Sequence, residues 1–284
     1  MEQDSANLAY WYPILRETGV AVPLTQVVET EVRLSELLDD GTPEGFDSFV
    51  ETLGGVADVM GYPAFLRTGY GAGKYDWQRT CFIPSRAVIA EHVKALVEWS
   101  ETADVFGLPY QTWAVREFIP ITSRFRAFHG NLPIGLERRF FVENGEVVCE
   151  HPYWPAALIE GHTESPHWRA FLEDVNNLGG HHTHLREQAR RVSAAFKGRW
   201  SVDFALSKSG TWYAIDMAPA DRSFHWPGCP HAISNILRVE PEVKPPLPLD
   251  PLDPYAPPKP KSYYPVSTST GYDYYYPITT WATT

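Results

Sequence analysis

The sequence predicts an α+β fold. Segments with period-2 apolar alternation, bounded by turn residues, come in pairs along the chain, as antiparallel hairpins do. Amphipathic helical segments fall between those pairs rather than after every strand, and no regular strand–helix–strand repeat runs through the 284 residues. A hydrophobic content of 44% is enough for a substantial core.

Taken in order, YWYPILRETGVAVPLTQVVE reads as a short helix and then a strand, and residues 46–60 read as a helix. Residues 64–83 read as two strands joined by a glycine- and lysine-bearing loop. Ser85 stands where a helix cap belongs, ahead of Val88, Ile89, Val93, Leu96 and Val97 on one helical face. Residues 111–119 and 123–129 read as strands. Residues 137–142 and 146–150 flank Asn144-Gly145, the dipeptide of a type I′ hairpin turn. A second amphipathic helix covers 185–196, and residues 200–206 and 211–217 form a last hairpin. The end of the chain differs: residues 241–284 hold 11 of the 25 prolines and 7 of the 15 tyrosines. Proline at that density removes backbone donors, so residues 245–265 read as extended and partly polyproline-II: residues 241–284 form a disordered tail, or one that packs on the body or on a protein partner through its tyrosines.

Composition excludes several functions. The net charge is −11 with no Lys/Arg cluster, so nucleic acid is not an expected partner. Cys81, Cys149 and Cys229 are odd in number and lack CxxC spacing, which points away from a disulfide framework and toward a cytoplasmic location. The acidic N-terminus does not read as a signal peptide, and no run of about 18 apolar residues predicts a membrane span. No G-x-S-x-G elbow is present. GGHHTH, with His181, His182 and His184, reads as a loop entering the helix at Leu185, with metal binding as the lesser alternative. The H-x₃-C-x-H spacing of His225, Cys229 and His231 matches no common zinc pattern.

Four segments carry chemistry. FLRTGYGAGKYDW pairs glycines with Lys74, but three residues separate Gly69 from Gly73 and Tyr75 follows the lysine, so it is not a P-loop. It reads as a flexible hairpin folding over a phosphate chain. In REFIP the strand ends before Pro120, where backbone groups can meet an adenine edge. In SRFRAF, alternation puts Arg124, Arg126 and Phe128 on one face, and Glu137-Arg138-Arg139 follows on the next strand; arginines there bind phosphate or carboxylate, or simply face water. In WSVDFALSKSGTWYAIDMAPA, a turn at Lys208-Ser209 places Asp203 opposite Ala214 and Asp216 diagonal to Asp203, about 7–8 Å away. Two such carboxylates suit Mg²⁺; the alternative is that each pairs with arginine or faces water. On this register Phe204 and Ile215 face the core.

In order and spacing, these motifs resemble the ATP-grasp superfamily over roughly residues 10–225. The nearest likeness is to the branch holding phage and bacterial members of unassigned substrate and a eukaryotic cell-division-cycle factor that helps assemble translation initiation factor two. The resemblance implies two α+β subdomains with ATP between them: residues 1–110 would carry the first and 111–240 the second, with 241–284 as an extended tail. It implies that Arg67 lies near adenine and phosphates and that Lys74 reaches the phosphates. Glu117, Phe118 and Ile119 would hold adenine, Arg126 would face the transferred phosphate, and Asp203 and Asp216 would hold Mg²⁺. Arg124 replaces the family's ribose-contacting glutamate, and Ala218 replaces the asparagine of its metal motif. The implied activity is ATP-dependent ligation of a small-molecule or peptide carboxylate through an acyl phosphate. The implied alternative is an assembly or scaffold protein that binds ATP without turnover.

Overall fold

The computed structural model describes residues 4–39, 41–103, 106–226 and 228–232, together with the backbone of 266–267 and 273–274. The residues group into two units, Met1–Val239 and Glu240–Thr284. In the second unit the described backbone is the antiparallel strand pair Val266–Ser267 and Asp273–Tyr274. The polyproline reading of 245–265 and the partner reading of 241–284 otherwise concern residues outside those described.

The first unit begins with helix α1 (Leu8–Glu17), strand β1 (Thr25–Glu29) and helix α2 (Phe46–Met60). Asn7 caps α1 by accepting the Ala9 N–H. In α2, Phe49, Leu53 and Ala57 recur at helical spacing on the buried face. Strands β2 (Ala64–Thr68) and β3 (Phe82–Ile83), helix α3 (Ile89–Thr102) and strand β4 (Thr112–Glu117) complete an antiparallel sheet of order β1-β4-β2-β3. Helices α2 and α3 cover one face, burying Leu66, Trp113 and Val115 against Phe49, Leu53, Val93 and Leu96. Strands β5 (Ser123–Ala127) and β6 (Leu132–Gly135) form a separate ribbon. The second sheet comprises β7 (Glu137–Glu143), β8 (Glu146–Pro152), β9 (Arg199–Leu206) and β10 (Trp212–Pro219), in the order β10-β9-β7-β8. Helices α4 (Ala156–Ile159), α5 (Trp168–Asn176) and α6 (His182–Ala195) lie between β8 and β9 in sequence. Helix α6 and α1 cover the second sheet, with Phe140, Trp200, Val202, Phe204 and Met217 in that core.

Asn144 and Gly145 both take positive φ, 51° and 85°, as a type I′ turn requires. Several elements differ from the sequence expectation. The return strand of the lysine hairpin spans Phe82–Ile83 alone, because a 3₁₀ turn, Lys74–Asp76, takes up part of the connection. That connection is pinned: the Thr80 hydroxyl meets the Gly73 and Asp76 carbonyls at 2.9 Å, and Gly130 N–H donates to Tyr75 O at 3.1 Å. Ser85 precedes a 3₁₀ turn, Arg86–Val88, and makes no side-chain cap bond. The strand expected to reach residue 119 ends at Glu117, and that expected to reach 129 ends at Ala127. Phe128 leaves the alternation with a φ of 64° and packs in the core beside Tyr75 and Trp154. Helix α6 starts at His182, not Leu185, so His182 and His184 are helical. Helices α4 and α5 and strand β6 are absent from the sequence expectation.

The largest correction is the register of the last hairpin. Leu206 pairs with Trp212 and Phe204 with Ala214, so even-numbered residues of β10 start on the core face. A bulge between Ala214 and Asp216 then sets Asp216 directly opposite Asp203. Two bulged residues oppose one partner residue, which re-aims the side chains that follow. Asp216 turns to the face opposite the core, Met217 returns to the core, and Ile215 lines the cavity described below instead of packing inside.

Candidate functional site

A cavity of about 430 Å³ opens between the two sheets. Arg67, Lys74, Glu117, Phe118, Ile119, Arg126, Asp203 and Asp216 all line it. Period-2 alternation brings them there: β9 sends Val202, Phe204 and Leu206 into the core and presents Asp203 and Ala205 to the cavity.

One end is aromatic. Trp77 stacks on Phe82 with ring centroids 5.0 Å apart, and Phe118 packs on both at 5.8 and 5.4 Å. Phe65 completes the cluster, 6.2 Å from Trp77. At the end of β4 the Glu117 N–H donates to Leu24 O at 2.8 Å, while the Glu117 carboxylate accepts the Leu24 N–H at 2.8 Å. That amide is therefore already engaged, and Phe118 and Ile119 carry the backbone that follows it along the cavity wall.

The other end is charged. Arg67 Nη1 donates to Asp216 Oδ1 at 2.8 Å, and Met217 N–H donates to the same oxygen at 3.0 Å. Arg139 grips both oxygens of Asp203, through Nε and Nη2, each at 2.7 Å. Arg116 Nη1 donates to Ile215 O at 2.7 Å, and Lys74 Nζ donates to the Tyr153 hydroxyl. The lysine nitrogen also lies 4.8 Å from the Trp154 ring centroid. Glu137 Oε1 accepts the Trp154 indole N–H at 3.0 Å. Arg126 stands at the exposed rim, where Nη1 donates to Asn131 O at 2.8 Å. Arg124 does not line the cavity; it pairs with Asp174 at 2.5 Å.

These contacts set the protonation states. Burial works to raise the Asp216 carboxyl, but Arg67, Arg116 and Lys74 outweigh it and hold the group below the ordinary carboxylate range. Burial works against the Lys74 charge, while Tyr153 and Glu137 hold it above the ordinary lysine value. Burial pushes Glu137 up to about 7, against the lowering pull of Lys74 and the Trp154 N–H. Burial, with Arg67 nearby, lowers Arg116 to about 10. Five cationic side chains (Arg67, Lys74, Arg116, Arg126, Lys208) line the cavity against four carboxylates (Glu117, Glu137, Asp203, Asp216). On a chain of net charge −11 this is a local cationic excess, suited to a polyanion.

The two aspartates are unequal. Asp203 is 4% exposed and both its oxygens are taken by Arg139, whereas Asp216 keeps 43% of its side chain open to the cavity. Mg²⁺ ordinarily needs one or two carboxylates, phosphate oxygens and retained waters. Asp216, with Oδ2 outside the Arg67 contact, fits that requirement; Asp203 as paired here does not supply a second ligand.

Sequence reasoning missed Arg139, Glu137, Tyr153 and Trp154 as a group around Lys74 and Asp203, and the aromatic cluster of Trp77 and Phe82. The available signal was alternation on β7, which gives Glu137 and Arg139 one face.

No protein-family model and no curated protein matches the sequence. Solved structures do. The C-terminally truncated Cdc123 of Schizosaccharomyces pombe superposes with a TM-score of 0.51 at 11% identity, over 76% of this chain and 84% of that one. The same organism's Cdc123 gives 0.50 at 11% identity, over 75% and 83%. The fold is that of these two Cdc123 structures. A RimK-domain ATP-grasp protein of Sphaerobacter thermophilus is a looser match, with a TM-score of 0.41 at 14% identity over 76% and 58%. In this chain the charged and aromatic ends of the cavity lie between the two sheets.

Proposed function

We propose that the cavity binds ATP with Mg²⁺ and that the protein is an ATP-dependent ligase acting on a carboxylate. The observation that supports this most directly is a single cleft with an aromatic end fit for a base and a cationic end fit for phosphates. In this reading adenine sits among Trp77, Phe82 and Phe118, against the Phe118–Ile119 backbone. Arg67, Lys74 and Arg126 bind the phosphates, and Asp216 holds the metal ion. Bound Mg²⁺ would supply charge neutralisation between phosphate oxygens. A substrate carboxylate oxygen attacks the γ-phosphorus, the bond to ADP breaks, and an acyl phosphate forms. An amine then attacks the acyl carbon and phosphate leaves. Lys74 and Arg126 stabilise charge that develops on the transferred group, with Tyr153 holding Lys74 in place.

The test is calorimetric titration of ATP into wild type and Lys74→Ala, with and without Mg²⁺. A charge-assisted hydrogen bond contributes about 1.5–3 kcal/mol, so the variant should bind roughly 10- to 100-fold more weakly. Absence of binding by wild type overturns the nucleotide reading.

The Arg139–Asp203 pair and Ala218 favour a second reading, an assembly protein that binds ATP without turning it over and holds a partner through residues 241–284. Release of ADP and phosphate on addition of carboxylate and amine supports ligation. Tight Mg-ATP binding without release, together with partner binding lost on removing 241–284, supports the second.

A further inference from the structure

We propose that Cys149, His151, His225 and Cys229 form a structural zinc site. The four offer ligand atoms within 4.8 Å of one another. A tetrahedral Cys₂His₂ zinc site, with Zn–S about 2.3 Å and Zn–N about 2.0–2.1 Å, has ligand atoms roughly 3.3–3.8 Å apart. Small rotamer adjustments close that gap, and Cys149 Sγ already lies 3.1 Å from His225 Nε2.

Backbone geometry builds the set. Cys149 and His151 alternate on β8 and so share a face. His225 and Cys229 come from the segment after β10, which crosses the same face. Along that segment Ser223 Oγ lies 2.6 Å from Ser201 Oγ on β9, Phe224 O accepts from Arg139 on β7 at 3.1 Å, and the Trp226 indole donates to Pro152 O at 2.8 Å. The Cys229 N–H donates to Trp226 O at 3.2 Å, turning the thiol back toward β8.

A further observation points to a ligand. His151 Nε2 is buried and has no hydrogen-bond partner. Buried polar atoms are rarely left so, and a metal ion satisfies such a nitrogen. Paired thiol and imidazole ligands in a tetrahedral arrangement favour zinc among the common metals. Four protein ligands leave no open position, which marks the site as structural. The sequence hides it because one ligand pair comes from a strand about 75 residues upstream; His231, in the local H-x₃-C-x-H run, is not in the cluster.

The site also has a place in the cavity's architecture. His151 pairs with Arg139, Arg139 with Asp203 and Asp203 with Asp216, one row across all four strands. A metal at the His151 end fixes the strap whose Phe224 carbonyl helps hold Arg139 on Asp203.

The test uses the full chain, purified reduced. We expect about one zinc per chain by elemental analysis. After chelation, Co²⁺ should give the visible bands of a tetrahedral thiolate site, bleached by zinc. Cys149→Ser and His225→Asn should lose that spectrum, while His231→Ala and Cys81→Ser keep it. Thiol titration of wild type guards against misfolded variants: one thiol should react under mild denaturation with zinc bound, and three after chelation. Co²⁺ bands that survive Cys149→Ser, or absence of zinc and of Co²⁺ bands in wild type, overturn the proposal. So do two thiols that, in chain purified without reductant, appear with reductant and not with chelator, which would mean a Cys149–Cys229 disulfide.

Discussion

Glu137 faces Lys74 on one side and accepts the Trp154 indole on the other, inside a wall that leaves it 6% exposed. Burial lifts its carboxyl from 4.5 to about 7, so between those pH values the native state holds a proton that the unfolded chain has released. Unfolding free energy therefore falls as pH rises from about 4.5 to about 7 and levels off above. The shift corresponds to a cost on the order of 3 kcal/mol at pH 8. Glu137→Gln keeps an acceptor for Trp154 and removes that cost. Urea unfolding of both proteins at pH 5 and pH 8 should show the variant gaining on wild type at the higher pH. Identical pH dependence would mean that Lys74 fully compensates the charge. At this scale the sequence was partly legible. Lys74 stands out in its glycine loop, Asp203 and Asp216 as charges among apolar neighbours, and all three reach the cavity. Glu137 and Arg139 are visible in the Glu137-Arg138-Arg139 run, but not their roles, which depend on what lies across the strand from them.

Two elements decide the geometry of the charged end, and neither is written as a motif. The bulge between Ala214 and Asp216 puts the two aspartates opposite each other. Unbulged continuation of the Phe204–Ala214 register would have put Asp216 opposite Val202, on the core face. Alternation counted from an assumed turn placed the aspartates on one face, but through a register the structure does not have. The second element is the contact between the β5–β6 turn and the lysine connection. A Cβ on Gly130 would lie 2.3 Å from Trp77 N and 2.6 Å from Asp76 C, both backbone atoms that cannot swing aside. Gly130→Ala should therefore push the 3₁₀ turn carrying Lys74 away from β5–β6. Overpacking of this kind costs about 1–3 kcal/mol. Chemical denaturation reads the loss directly, and an unchanged midpoint would show that the two segments separate freely.

Across the body, Arg67 on β2 and Arg116 on β4 reach over to Asp216 and to the Ile215 carbonyl on β10. These bonds tie one sheet to the other through the cavity wall, so a ligand in the cavity touches both sheets at once. Much of the helix and hairpin order could be read from the chain because it rests on local periodicity; α4, α5 and β6, which are short or carry little periodic signal, could not. The facing of the two sheets could not, because it rests on contacts such as Arg67–Asp216 that span 149 residues. A ligand that binds only the native state stabilises it by about 2.7 kcal/mol at a concentration 100 times its Kd. For a body of this size each kcal/mol moves the melting midpoint by about 2–4 °C, so Mg-ATP should raise it by roughly 5–10 °C. Because both sheets meet the ligand, the shift should appear as one cooperative transition in thermal scans. ATP without Mg²⁺ should move it less, since Arg67, Lys74 and Arg126 would then meet the phosphates without a cation between Asp216 and the negative oxygens. A transition that splits on adding Mg-ATP would mean that the nucleotide engages one sheet alone. An unmoved midpoint at saturating nucleotide would assign the cationic excess of the cavity to a different polyanion.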